Sequence, residues 1–180
     1  MTQLERQQRA AVVAEARAWL GTPYHHEGRV KGVGVDCLQL LAAVFSAPPV
    51  KLIEPPDIPH YPWDWHLHRD AERYLEGLTR YTREIAGPPH PGDIVLFRFG
   101  RCFSHGGIVV EWPTIIHAYL GKGCVLEDAE AARWLTHVGE TGPEHGKARS
   151  RKFFSYWAAH PAHAAHEHHR KPPRVHDEVD

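Results

Sequence analysis

Four short apolar runs between residues 93 and 128 constrain this chain more than anything else in it. They read DIVLFRF (93–99), GGIVV (106–110), TIIHAYL (114–120) and GCVLED (123–128). Each is rich in Val, Ile or Phe and is bounded by Gly, Pro or polar residues, as strands are. Short runs with tight connections predict an antiparallel meander. RKFFSYWAA (151–159) predicts a last strand, and AEAARWLTHV (129–138) a short helix.

The first third of the chain has a different period. Thr2 and Glu5 are spaced as a capping box, and Val12, Val13, Ala16, Trp19 and Leu20 then recur at helical spacing until Gly21 and Pro23 stop the pattern. A Gly-rich loop runs from Glu27 to Gly34, and DCLQLLAAVF (36–45) predicts a short apolar helix. Asp36 is its N-cap, with Gln39 three residues on, which puts Cys37 at the first helical position. The positive end of the helix dipole favours a thiolate there, so the expectation is a lowered thiol pKa. Residues 47–64 are rich in Pro and aromatic residues, which suits an irregular ordered loop or a partner-facing surface. Residues 65–81 read as an amphipathic helix with Leu67, Ala71, Tyr74, Leu75 and Leu78 on one stripe. Helices first and strands afterwards mean an α+β fold. Residues 1–159 are read as one domain carrying an insertion at 47–90. From His160 the chain has few large apolar residues and reads as a flexible tail or extended arm.

Composition excludes several classes. At 180 residues and 42% hydrophobic, the chain suits one compact core. Lys plus Arg (21) nearly balances Asp plus Glu (22), which leaves no electrostatic footprint for nucleic acid or an anionic membrane. No apolar run is long enough to span a bilayer, and charges interrupt every apolar stretch of the N-terminus. The expectation is a protein made in the cytosol without a signal peptide.

Three cysteines, at 37, 102 and 124, are too few and too far apart for a disulfide scaffold or a structural zinc site. A lone Cys with a His far along the chain is instead a candidate nucleophile and base. Helix position selects Cys37, while Cys102 and Cys124 read as buried small hydrophobes. Of sixteen His residues, His105 and His117 stand out because each opens or lies within an apolar strand, where a His needs a reason. His163, His166, His168 and His169 crowd the tail, but Cys and carboxylate partners at ligand spacing are missing. Weak adventitious nickel or zinc binding is expected there, and no dedicated metal or other cofactor.

In order along the chain, WLGTPYHHEG, VDC, PGDIVLF, SHGGIVV and IIHAYL resemble the motifs of the NlpC family of cell-wall cysteine peptidases, from about Trp19 to Asp128. The resemblance implies a papain-like α+β fold, with the nucleophile at a helix N-terminus facing an antiparallel sheet that supplies the His residues. It implies hydrolysis of peptide bonds in the stem peptide of peptidoglycan. Matched residue by residue, Cys37 is the nucleophile, His105 the base and His117 the third polar member. Tyr24 lies beside the active site, and Asp36 doubles as a contact for the free amine of a stem peptide. Leu38 and Gln39 stand where the commoner motif has Ser and Gly. That departure, the missing signal and the long insertion look more like relatives encoded by tailed phages and gene transfer agents, whose peptidase is a tail component. Neighbouring tail subunits are then the implied partners, met through Tyr61, Trp63, Trp65 and the arm after His160. Two rival readings are a structural tail protein without turnover and a cytosolic amidase or acyltransferase.

Overall fold

The computed structural model describes residues 1–62, 72–131 and 149–158. These form three helices and a six-stranded antiparallel sheet, the α+β class expected. Among them no helix is long and apolar enough to cross a membrane.

Helix α1 (Gln3–Arg17) starts at Thr2, whose side chain accepts from the Glu5 amide. Only half of the capping box forms, because the Glu5 carboxylate turns along the helix to Arg9. Val12 and Ala16 are its buried apolar face. A two-stranded hairpin, β1 (Arg29–Val30) and β2 (Gly34–Val35), folds the Gly-rich loop and leads into α2 (Cys37–Ser46). The hairpin was not expected, since two residues per strand carry no periodicity. In α2 the run from Leu40 to Phe45 is buried on all sides. The amphipathic stretch yields α3 (Arg73–Thr79), with Tyr74 buried; residues 63–71, which include Trp63, Trp65 and Leu67, lie outside the described residues.

The sheet contains β3 (Arg83–Ile85), β4 (Ile94–Phe99), β5 (Cys102–Glu111), β6 (Thr114–Tyr119), β7 (Gly123–Asp128) and β8 (Arg151–Ser155), in the spatial order β3-β8-β4-β5-β6-β7. The meander expected from residues 93–128 is β4 to β7. β8 returns to pair with both β3 and β4. It ends at Ser155, short of the expected 159, because Tyr156 and Trp157 bend away and Trp157 donates to Gln8 on α1. β5 begins four residues earlier than the run 106–110 and carries a bulge. Phe97 pairs with His105 and Arg98 with Phe103, which leaves Ser104 as the extra residue. Of the short helix expected at 129–138, residues 129–131 form a turn held by Asp128, and 132–138 lie outside the described residues, as does the tail from His160.

Alternation sorts the strands onto two faces. Ile94, Leu96, Ile108, Val110, Ile116 and Ala118 pack under α1 and α2 in the main core. Val95, Phe97, Val109 and Ile115 form a second cluster on the opposite face. Cys102 and Cys124 are buried, as small hydrophobes should be. One polar clamp ties α1 to the sheet. The Arg9 guanidinium donates to Glu5, to the Pro91 carbonyl, to Asp93 at 2.8 Å and to the Ser155 hydroxyl, and it stacks 4.0 Å over Trp157.

Candidate active site

Cys37 opens α2, where the sequence put it. Asp36, 2% exposed, caps the helix through Oδ1, which accepts from the Gln39 amide at 2.8 Å. The second half of the box is again missing, since the Gln39 side chain accepts from Arg29 instead. Asp36 Oδ2 accepts from the Glu27 amide at 2.8 Å and from the Tyr61 hydroxyl at 2.6 Å, with His26 Nδ1 3.6 Å away. The carboxylate is therefore filled, and an amine reaching it has to displace Tyr61.

Tyr61 belongs to the Pro-rich stretch, which lies across the hairpin as a strap. Arg29 donates to the Pro56 carbonyl, His26 donates to the Tyr61 carbonyl at 2.7 Å, and the Glu27 carboxylate accepts from the Tyr61 amide and pairs with His60. The Tyr61 amide and His60 hold the Glu27 carboxyl below its ordinary pKa. The strap is an ordered loop on its own domain as far as Tyr61, so Tyr61 serves the site rather than an outer surface.

The Cys37 sulfur meets β5 at the backbone on either side of His105. It lies 3.9 Å from the Ser104 carbonyl, and the Gly106 amide points at it. The thiol pKa runs against the helix-dipole expectation. Burial and then the Asp36 charge push it up to about 12, and the amides of Gly106, Leu38 and Cys37 do not outweigh them. At rest the sulfur is a neutral thiol with a carbonyl to donate to. Tyr24, paired to Val35 by an isolated bridge, lies close enough for Cys37 and Asp36 to help burial raise its phenol pKa.

Tyr74 was read from the sequence only as a stripe residue, and it is part of the site. Its hydroxyl donates to the Cys37 carbonyl at 3.1 Å, and a Cβ at Gly106 would stand 2.3 Å from the same oxygen. Burial is the main reason its phenol pKa rises well above the ordinary value, with Cys37 next.

His105 and His117 share a hydrogen bond of 2.9 Å between Nε2 and Nδ1, with their rings perpendicular. Both lie on the second-cluster face. The His105 ring is 5.5 Å from Phe99 and 5.6 Å from Tyr119. The structure thus joins the two His residues directly and brings the sulfur to the backbone of His105 from the α2 side of β5, whereas both His side chains leave their strands on the other face. His117 Nε2 in turn meets Glu127 Oε2 at 3.1 Å, and Lys122 reaches Glu127 Oε1 at 3.0 Å. Glu127 was missed. Its one signal in the sequence is an acidic residue that alternates with Val125 along a β-run, which puts it on the face of His117, since Val125 pairs with His117.

No family model matches this sequence, and no curated protein matches it. Among solved structures, the NlpC/p60 domain of the peptidoglycan hydrolase SagA is similar, with a TM-score of 0.50 and 20% identity, over 80% of this chain and 96% of that one. NlpC1 from Trichomonas vaginalis has a TM-score of 0.50 at 19% identity, over 68% of this chain and 39% of that one. At these identities the likeness shows a shared fold, the papain-like α+β arrangement of NlpC/p60 domains.

Proposed function

We propose that this chain is a cysteine peptidase that hydrolyses peptide bonds in the stem peptides of bacterial peptidoglycan. The observation that carries the reading is the meeting of three features at one place. A Cys at a helix N-terminus has its sulfur against the backbone flanking His105, and His105 is hydrogen-bonded to His117. The shared fold with a peptidoglycan hydrolase domain supports the choice of substrate.

In this reading the His105 ring, which leaves β5 on the face away from α2, turns toward the sulfur at the strand's edge and takes the Cys37 proton as the sulfur attacks the scissile carbonyl carbon. A resting thiol with a pKa of about 12 makes that transfer part of the attack rather than a standing ion pair. The C–N bond breaks, His105 passes the proton to the leaving amine, and a thioester remains on Cys37. Water, deprotonated by His105, then attacks the thioester carbonyl carbon, the C–S bond breaks to release the acid, and Cys37 takes back its proton from His105. The Cys37 amide, with Tyr24 beside it, faces the oxyanion. Tyr24 stands on the substrate side, and Asp36 meets the free amine of the stem peptide once Tyr61 is displaced.

We assign the enzyme to a phage tail or gene transfer agent, opening the wall locally during DNA delivery, with tail subunits as partners. This assignment rests on the sequence resemblance and not on the geometry. The half-buried thiol with its raised pKa and Leu38 beside it favour a second reading, a structural tail protein that kept the fold and lost turnover.

Digestion of purified sacculi, with mass spectrometry of the released fragments, separates the two. The peptidase reading expects new stem-peptide termini that disappear with Cys37→Ala. Intact sacculi would leave only the structural reading. Deleting residues 160–180 is expected to spare hydrolysis and to reduce incorporation into particles; normal incorporation would remove the docking role of the arm.

A further inference from the structure

We propose that Glu127 is a positioning residue that sets the tautomers of both His117 and His105 and so places the basic lone pair of His105 on Nδ1. The inference rests on the peptidase reading for its use, but the proton positions follow from the hydrogen bonds themselves.

The argument starts at the carboxylate. Its Oε2 lies 3.1 Å from His117 Nε2 and its Oε1 lies 3.0 Å from the Lys122 ammonium. The Glu127 side chain is 8% exposed and that of His117 is 0% exposed. An ionised carboxylate only accepts, so His117 Nε2 has to carry a hydrogen; two acceptors facing each other at this distance would repel. A neutral imidazole carries one N–H, so His117 Nδ1 is an acceptor. That nitrogen faces His105 Nε2 at 2.9 Å, so His105 donates from Nε2. With its one N–H spent there, neutral His105 has its lone pair on Nδ1. The protons run in one direction, from His105 to His117 to Glu127, and Lys122 closes the far end.

Local structure supports the chain. His117 pairs with Val125 across β6 and β7, so Glu127 is its diagonal neighbour on the same face. Gly107 on β5 makes room for the ring. A Cβ there would stand 3.1 Å from Ile115 Cδ1 and 3.3 Å from His117 Cβ. In this role Glu127 acts on His105 through His117. When His105 takes a proton on Nδ1, the positive charge is shared along a path that ends at the carboxylate.

The test reads tautomers directly. Two-bond 1H–15N correlation spectra of the ¹⁵N-labelled full chain at neutral pH are expected to show both rings protonated on Nε2 and bare on Nδ1. A hydrogen on Nδ1 of either neutral ring would overturn the proposal without any variant. In Glu127→Gln, Lys122 retains the amide oxygen and the amide NH₂ turns to His117. His117 Nε2 must then accept, its Nδ1–H donates to His105 Nε2, and the hydrogen of His105 moves to Nδ1. The expected result is inversion of both tautomers and a fall in kcat/KM on soluble stem-peptide fragments of roughly 10²-fold, the low end of general-base contributions. Adding Lys122→Met lets the amide turn its oxygen to His117 and is expected to restore the tautomers and part of the rate. Glu127→Gln with unchanged tautomers in the folded protein would leave Glu127 merely structural and refute the role. Hydrolysis that survives Cys37→Ala would instead refute the peptidase reading and leave the tautomer assignment standing.

Discussion

Replacing Gly106 by Ala tests whether α3 is built into the site. A Cβ at this position would lie 2.3 Å from Tyr74 Oη, 2.9 Å from Cζ and 3.1 Å from Leu96 Cδ2. Tyr74 is 3% exposed, so its ring has no open space to swing into, and α3 or β5 must shift. Forcing extra volume into a packed core costs about 1–3 kcal/mol. The hydrogen bond from Tyr74 to the Cys37 carbonyl, 3.1 Å long, is lost or stretched, which adds about 0.5–1.5 kcal/mol. The smaller freedom of Ala in the unfolded chain returns about 0.4–1 kcal/mol. The net expectation is a loss of roughly 2–3 kcal/mol, read from urea unfolding of the full chain. Tyr74→Phe alone costs about 1 kcal/mol. Made together with Gly106→Ala it removes the atom at 2.3 Å, so the two changes should couple favourably by about 1 kcal/mol. A single Gly106→Ala within about 0.5 kcal/mol of the parent, or strict additivity of the pair, would refute the reasoning.

Three further perturbations follow from the same contacts. Arg9→Met leaves Asp93 buried without its cation and is expected to cost about 3–5 kcal/mol in urea unfolding; a loss under about 1 kcal/mol would mean that the clamp is solvated. With a folded pKa of about 12 against an ordinary 9.0, alkylation of Cys37 should rise about tenfold per pH unit between roughly pH 7 and 9, followed on the Cys37 peptide by mass spectrometry. A flat rate across that range would mean a standing thiolate. Because the folded pKa is the higher one, stability is full below pH 9.0 and is lost as pH rises through about 12, where the half-buried thiol must ionise. His105→Ala should abolish nearly as much hydrolysis as Cys37→Ala, whereas His117→Ala, which in the peptidase reading removes an orienting partner, should cost on the order of 10²-fold in kcat.

What could be read from the sequence was local. Asp36 as cap and Cys37 as first helical residue are consequences of a few adjacent residues, and the structure keeps them. The runs at 93–128 were legible because each strand neighbours the next. The spacing of His105 and His117 survives because one tight turn joins their strands. What was missed depends on contacts far apart in sequence. β8 enters the sheet between β3 and β4 from the far end of the chain. Tyr61 and Tyr74 reach Asp36 and Cys37 from the stretch between α2 and β3, whose path no periodicity specifies. The thiol pKa failed for the same reason. The helix end is a local feature, whereas burial and the Asp36 charge come from the packed structure, and they win.

The central claim, that Cys37 carries the acyl group of a wall peptide, is tested most directly by trapping that group. Soluble stem-peptide fragments are mixed with the protein, quenched in acid within the first turnover and digested, and every cysteine peptide is weighed. The account expects the acyl mass on the peptide that contains Cys37, and no adduct on it when His105 is replaced by Ala. An adduct on Cys102 or Cys124, or hydrolysis that proceeds with no adduct on any cysteine, would contradict it.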